Sequence, residues 1–214
     1  EIVIVRSDKP APASIARKIA LFGGVDEAGV LMLPNVDSVF KIPARIAESS
    51  LMTILNTFTC NVALPQLDIW ADLAQRQNKT HRESVIVGLV AKYMDNEDTY
   101  LSVTEALRAA AWAENVGLTI KWINAETATK RDFANVDALL VPGGFGVRGV
   151  DGKIAAATYA LEHDTPYLGI CLGLQTAVIA AARRAGLTDA HSTEFDSATT
   201  HDVVYIMPGQ EGKE

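Results

Sequence analysis

Gly169-Ile170-Cys171-Leu172-Gly173 joins an apolar run, Pro166 to Ile170, to a helical one, Leu172 to Ala185. A cysteine at a strand-to-helix turn, with glycines two residues before and two after, is the thiol form of a nucleophile elbow. The glycines admit a cramped turn that side chains would block, so the sulfur stands clear at the strand's end. The helix starting at Leu172 aims the positive end of its dipole at that sulfur, which favours thiolate over thiol. A buried structural cysteine at a tight turn satisfies the same five residues, so the surrounding chain has to discriminate.

Working outward, a regular β-α alternation begins at Ser84. Val85-Ile86-Val87-Gly88-Leu89-Val90 is a near-continuous apolar run, the pattern of a buried parallel strand. Ser102-Val103-Thr104-Glu105 reads as a capping box, opening a helix that runs to about Asn115 with Gly117 as its left-handed stop. Leu118 to Ile123 is the second strand, and Asp137 to Pro142 the third. The next helix spans about Lys153 to His163, and Pro166 to Ile170 is the strand that carries the elbow. Repeated β-α units with short turns predict an α/β fold, a doubly wound parallel sheet whose ligands bind at the carboxyl ends of the strands. The loop Gly143 to Gly149, with four glycines in seven residues, ends on that same edge. Its backbone N–H groups are suited to stabilising the oxyanion of a tetrahedral acyl intermediate. A tight βα turn or a phosphate loop is the alternative, but the loop lacks the Gly-Lys-Ser/Thr ending of a phosphate loop. Arg148 is either a surface residue or an anion anchor.

The front of the chain reads differently. Ile2 to Val5 is a β-branched strand followed by the polar turn Arg6-Ser7-Asp8-Lys9-Pro10. Ser14 is placed to cap a helix from about Ile15, with Ala16, Ile19, Ala20 and Phe22 on its apolar face and Gly23-Gly24 as its stop. Val30 to Leu33 is a second strand, ended by Pro34-Asn35-Val36-Asp37. Ile42 to Phe58 reads as one helix, striped by Ile46, Leu51, Ile54, Leu55 and Phe58. This region is too small and too poor in strands for a core of its own, and reads as the tail end of an α/β domain. The polar stretch Asp72 to Glu83 separates the parts, giving residues 1–71, a linker 72–83 and a second domain 84–214. His81, inside that stretch, reads as a solvated linker residue.

The 214 residues are 49 % apolar and 21 % charged with net charge −7, an ordinary soluble globular balance. The acidic excess argues against a nucleic-acid or anionic-membrane surface and leaves room for local basic pockets. No apolar run approaches the ~20 residues of a membrane span, and no signal-peptide pattern opens the chain. Cys60 and Cys171 cannot form a disulfide framework and lack metal-ligand spacing, so no metal site is expected, and a reducing cytoplasm fits. Glu1 leads straight into a strand without a starting methionine, and Pro208 to Glu214 is a polar loop. Both ends suggest a piece of a longer protein. A cysteine nucleophile also needs a base, usually a histidine oriented by a carboxylate. His163 ends a helix, where a cation suits the dipole, and His191 and His201 follow no recognisable strand with a partner acid. The catalytic apparatus is therefore expected to be incomplete.

Longer stretches carry a specific resemblance. Leu140-Val-Pro-Gly-Gly-Phe-Gly-Val-Arg-Gly149 and Pro166-Tyr-Leu-Gly-Ile-Cys-Leu-Gly-Leu-Gln175 resemble the CTP synthase family in its class I glutamine amidotransferase domain. Ala190-His-Ser-Thr-Glu-Phe195, Gly88-Leu-Val-Ala-Lys-Tyr93 and Tyr100-Leu-Ser-Val-Thr-Glu-Ala106 agree. Ile4-Val-Arg-Ser7, Lys18-Ile-Ala-Leu-Phe22 and Val36-Asp-Ser-Val39 are similar to the end of that family's synthase domain. The similarity runs nearly the whole chain in family order.

The resemblance implies that residues 1–71 close a P-loop-type α/β amidoligase domain. There Arg6 and Lys18 would reach phosphates of ATP and of UTP (or CTP) respectively, and Pro34, Asn35 and Val36 would line the adenine pocket. From about residue 84 it implies an amidotransferase domain in which Cys171 attacks the glutamine carboxamide. The N–H groups of Gly144 and Leu172 would hold the oxyanion, Gly173 and Leu174 would line the glutamine site, and Gln175 and Glu194 would grip the amino-acid end. The family uses Mg2+, with ligands upstream of this chain, takes ATP and UTP as substrates, responds to GTP through the glycine loop, and assembles as homotetramers. The family's triad His and Glu lie in a His-Pro-Glu segment this chain does not contain. The chain alone is thus expected to turn over no glutamine, and the activity to belong to its parent. Two other readings remain: a different cysteine-elbow amidotransferase or hydrolase, and a naturally truncated, inactive homologue acting as a binding or assembly module.

Overall fold

The computed structural model describes residues 1–58, 66–80, 83–205, 207 and 209. Cys60, His81 and most of the closing segment 206–214 lie outside the described residues. The chain divides into two compact units, Glu1–Thr80 and His81–Glu214.

In the first unit β1 (Val3–Ser7) pairs in parallel with β2 (Val30–Pro34), Val3 opposite Val30 and Ser7 opposite Pro34, with α1 (Ala13–Gly23) between them in sequence. Gly24, left-handed at φ 64°, ends α1. The helix starts earlier than expected: Pro12 is its N-cap and Ser14 lies inside it. Phe22 is 87 % exposed rather than part of the buried face. Two residues beyond the buried Ala20 is about 200° around a helix, nearly the opposite side.

The single helix expected over residues 42–58 is two, α2 (Ile42–Ala47) and α3 (Leu51–Phe58). Ser49 makes the break, its hydroxyl donating to Ile46 O at 2.6 Å and accepting from the Leu51 amide. The polar stretch from Asp72 also differs from expectation, since Asp72 to Gln77 form the second half of α4 (Asp68–Gln77). An Asp72–Arg76 pair at 2.7 Å with i,i+4 spacing supports that helix, and Ala74 is buried.

The second unit is a four-stranded, all-parallel sheet in the order β4-β3-β5-β6, built from β3 (Ser84–Ala91), β4 (Gly117–Asn124), β5 (Ala138–Val141) and β6 (Tyr167–Gly169). Alternation along each strand splits its side chains between two faces. Val87, Leu89, Ala91 and Leu140 pack beneath Val103 and Leu107 of α5 (Leu101–Glu114). Val90, Ile123, Leu139 and Val141 pack against Ala156 and Ala160 of α6 (Val150–His163), with Phe133 fully buried among them. α7 (Leu172–Arg184) lies beside α6, and a short parallel pair, β7 (His191–Ser192) and β8 (Asp202–Val204), packs on α7. Both faces of the parallel sheet carry helices, the doubly wound arrangement the sequence predicts.

The ends of α5 are not where the sequence places them. Ser102 does not cap it: Asn96 accepts from the Asp98 amide and opens a 3-10 turn that runs into the helix at Leu101. Asn115, at φ 58°, is the left-handed stop, whereas Gly117 already belongs to β4. Asparagine tolerates that conformation, so the stop needs no glycine. No helix among the described residues is long and apolar enough to cross a membrane.

Candidate active site

Strand β6 ends at Gly169 and α7 begins at Leu172, leaving Ile170 and Cys171 as the whole turn. The backbone of Cys171 is held at φ 52° and ψ −110°, a conformation L-residues rarely adopt. Such strain lifts the side chain off the strand's end, and Cys171 is exposed. The flanking glycines are required by close approach. A Cβ on Gly169 would lie 2.5 Å from the Gly173 carbonyl, and one on Gly173 would lie 1.9 Å from Val141 O. The turn is clamped from beneath. Tyr167 Oη donates to Gly173 O at 2.8 Å, Thr176 Oγ1 donates to the same oxygen at 3.0 Å, and the Ile170 amide donates to Val141 O at 2.9 Å. Burial pushes the Tyr167 phenol up to about 12, so it stays a donor.

The glycine-rich loop closes over the elbow. A Cβ on Gly143 would be 3.4 Å from Cys171 Cβ and 3.9 Å from Cys171 Sγ, and one on Gly144 would be 3.6 Å from Leu172 Cδ2. Leu172 is the first residue of α7, so its amide has no intrahelical acceptor. Leu172 and Gly173 are buried, Leu174 is exposed and Gln175 half-buried; the Leu174 and Gln175 amides both donate to Cys171 O. Glu194 is exposed on the connection from β7 to β8, its amide donating to Ser192 Oγ. The neighbouring Phe195 packs on the cluster that includes Leu172, which draws this connection toward α7.

Two lysines the sequence does not flag lie beneath the loop. Lys153, fully buried, donates from Nζ to Pro142 O at 2.6 Å and to Gly143 O at 3.2 Å. Lys92, at the end of β3, donates to Phe145 O and, at 3.4 Å, to Gly146 O. Burial lowers the Lys153 ammonium to about 8; the Lys92 charge acts in the same direction and Cys171 opposes it. In the unfolded chain a lysine keeps its proton to about pH 10.5, so between about 8 and 10.5 the unfolded state binds more protons than the folded one. Stability from this group therefore rises with pH across that window. Urea midpoints of the wild type measured against Lys153→Met should diverge in that direction, and parallel midpoints would contradict it.

Each of the three described histidines holds a partner through Nδ1. His163 Nδ1 donates to Tyr159 O at 2.9 Å and the ring stacks on Tyr159, while His191 Nδ1 accepts the Ser192 amide at 2.9 Å. His201 does have an acid partner, contrary to the sequence reading. Its Nδ1 bonds Asp189, which the Thr200 hydroxyl and then His201 hold down at about 2. Twelve residues separate the two, so no short-range pattern marks them. Arg148 pairs with Glu126 at 3.3 Å, over the Tyr93 ring. Among the described residues no cluster of three or more acidic, His or Cys side chains fits a metal.

In the first unit, Arg6 Nε donates to Asn35 Oδ1 at 2.8 Å and Asn35 Nδ2 to Asp8 Oδ1 at 3.0 Å, joining the carboxyl ends of β1 and β2. Pro34 and Val36 flank that asparagine, whereas Lys18 is exposed on α1.

A strained thiol at a strand-to-helix elbow, under a glycine loop that brings Gly144 against Leu172, is the site of an acyl-transferring cysteine enzyme. The model of the class-I glutamine amidotransferases matches residues 96–210, and the chain belongs to that family. The model of the CTP synthase N-terminus matches residues 1–60. Two similar curated proteins are the CTP synthases of Corynebacterium kroppenstedtii, 42 % identical over 98 % of this chain, and of Thermus thermophilus, 41 % identical over 98 %. This chain spans 39 % of each. A solved structure of the Trypanosoma brucei CTPS glutaminase domain with bound acivicin matches at TM-score 0.56 and 39 % identity, covering 60 % of this chain and 52 % of that one.

Proposed function

We propose that the chain is a stretch of a CTP synthase, with the end of the amidoligase domain in residues 1 to about 71 and the nucleophile-bearing part of the amidotransferase domain from about 84. The observation that carries this is the elbow, with Cys171 strained at φ 52° and Gly144 packed against Leu172. Cys171 as thiolate attacks the glutamine carboxamide, and the carbonyl oxygen becomes an oxyanion facing the amides of Gly144 and Leu172. Gly173 and Leu174 line the glutamine site, Gln175 holds the amino-acid end, and Glu194 suits its ammonium. The proton for departing ammonia is delivered by a general acid, the role the family gives to the His of its His-Pro-Glu segment.

The parent enzyme aminates UTP at the expense of ATP, with Arg6 and the Pro34-Asn35-Val36 turn at the ATP site and Lys18 at the UTP or CTP phosphates. GTP acts as activator. Mg2+ serves the ATP-dependent step of the parent, and the described residues include no cluster of three or more acidic, His or Cys side chains to hold it. A cytoplasmic homotetramer is the setting proposed. The test is labelling of the full-length protein with an electrophilic glutamine analogue. One adduct on Cys171, suppressed by excess glutamine, is expected. Labelling elsewhere, or labelling that glutamine does not suppress, would refute the glutamine site and favour an inactive binding or assembly module.

A further inference from the structure

We propose that Lys153 is a positioning residue: its buried ammonium fixes the Gly143–Gly144 peptide so that the Gly144 N–H faces the thiol of Cys171. The inference rests on the glutamine-amidotransferase reading of that thiol. In a planar trans peptide the C=O of one residue and the N–H of the next point in opposite directions. No cis peptide occurs among the described residues, so a group that ties down Gly143 O also sets the direction of the Gly144 N–H. Lys153 Nζ makes that tie at 3.2 Å, and a second at 2.6 Å to the preceding carbonyl of Pro142.

Glycine pairs need such a tie, because without side chains their shared peptide rotates at little cost. The ammonium is itself fixed by the sheet. It rises from the first turn of α6, where Gly152 sits so close to β4's end that a Cβ would lie 1.9 Å from Ala125 O. Lysine suits the task, since a compact head with three donors on a long stem can reach two adjacent carbonyls from below. Satisfying buried carbonyls alone would be a purely structural role. The positioning role differs in serving a donor used only when the substrate carbonyl becomes tetrahedral.

The two roles separate in one experiment on the full-length protein, using Lys153→Met, Lys153→Gln and Cys171→Ala. For Lys153→Met, kcat for glutamine hydrolysis should fall ~10²–10³-fold, the scale of one lost oxyanion donor, with KM within about threefold. Alkylation of Cys171 by iodoacetamide, a displacement at saturated carbon that forms no oxyanion, should stay within about twofold. Lys153→Gln, which keeps two N–H donors on a shorter stem, should recover about tenfold of the kcat. An unchanged kcat, or equal falls in kcat and alkylation, overturns the proposal. Should the Met variant not fold, the ratio of the two losses in the Gln variant decides in the same way. Hydrolysis surviving in Cys171→Ala would overturn the underlying reading. A dead Cys171→Ala beside an unaffected Lys153→Met overturns this inference alone.

Discussion

Cys171→Ala in the full-length protein should abolish glutamine-dependent CTP formation, by ~10⁴-fold or more, while formation from free ammonia stays within about twofold. The magnitude is that of removing the nucleophile from an enzyme whose catalytic groups act as a unit. Sparing of the ammonia reaction follows from the fold. Cys171 is exposed at the sheet's carboxyl edge and makes none of the core contacts, which run through Leu172, Ile179 and Ala180 behind it. Removing one sulfur from a solvent-facing turn leaves that packing intact. Coupled assays with glutamine and with ammonium chloride read both activities, and a parallel loss of the two would show that the thiol is a structural part of the turn.

Gly173→Ala should destabilise the second unit by about 3 kcal/mol and lower glutamine turnover by ~10²-fold. The new methyl would sit 1.9 Å from Val141 O and 2.9 Å from Val141 C. Both are backbone atoms of a buried central strand, so α7 has to move away, at an overpacking cost of that order. The same movement displaces Cys171, and a misplacement of ~1 Å in a reacting group can cost ~10² in rate. Gly144→Ala is the contrast. Its nearest neighbours would be the end of a lysine at 3.5 Å and a leucine methyl at 3.6 Å, so the loop accommodates it without unfolding. Thermal denaturation of both variants distinguishes them. Equal melting points would mean that the α7–β5 contact is slack.

The elbow was legible because its chemistry is local. Five residues specify a strand end, a cramped turn and a helix start, and the structure differs from the predicted bounds there by one residue at each flank: β6 ends at Gly169 and α7 at Arg184. The buried run of β3 was legible for a similar reason, since a strand covered on both faces has no polar side to confuse the pattern. Caps were harder to read. Ser102-Val103-Thr104-Glu105 matches a capping box in spacing, yet Asn96 starts the turn earlier and leaves Ser102 inside the helix. The lysines beneath the loop could not be read at all. A lysine at the head of a helix is ordinarily a solvated side chain, and its burial here follows from a loop that folds back over it to offer carbonyls. The closest sequence signal is that Ile154, Ala156 and Ala157, all buried, follow Lys153 directly.

The tyrosine that grips the first turn of α7 bears on how the enzyme's kinetics are read. Its hydroxyl ionises only at about 12, and its partner is a main-chain oxygen that never titrates. The mount of the thiol is therefore electrically silent across the working range of the enzyme. A pH–rate profile of the proposed glutamine hydrolysis should therefore carry no inflection from Tyr167 below about pH 12, so any inflection seen there comes from groups other than this mount.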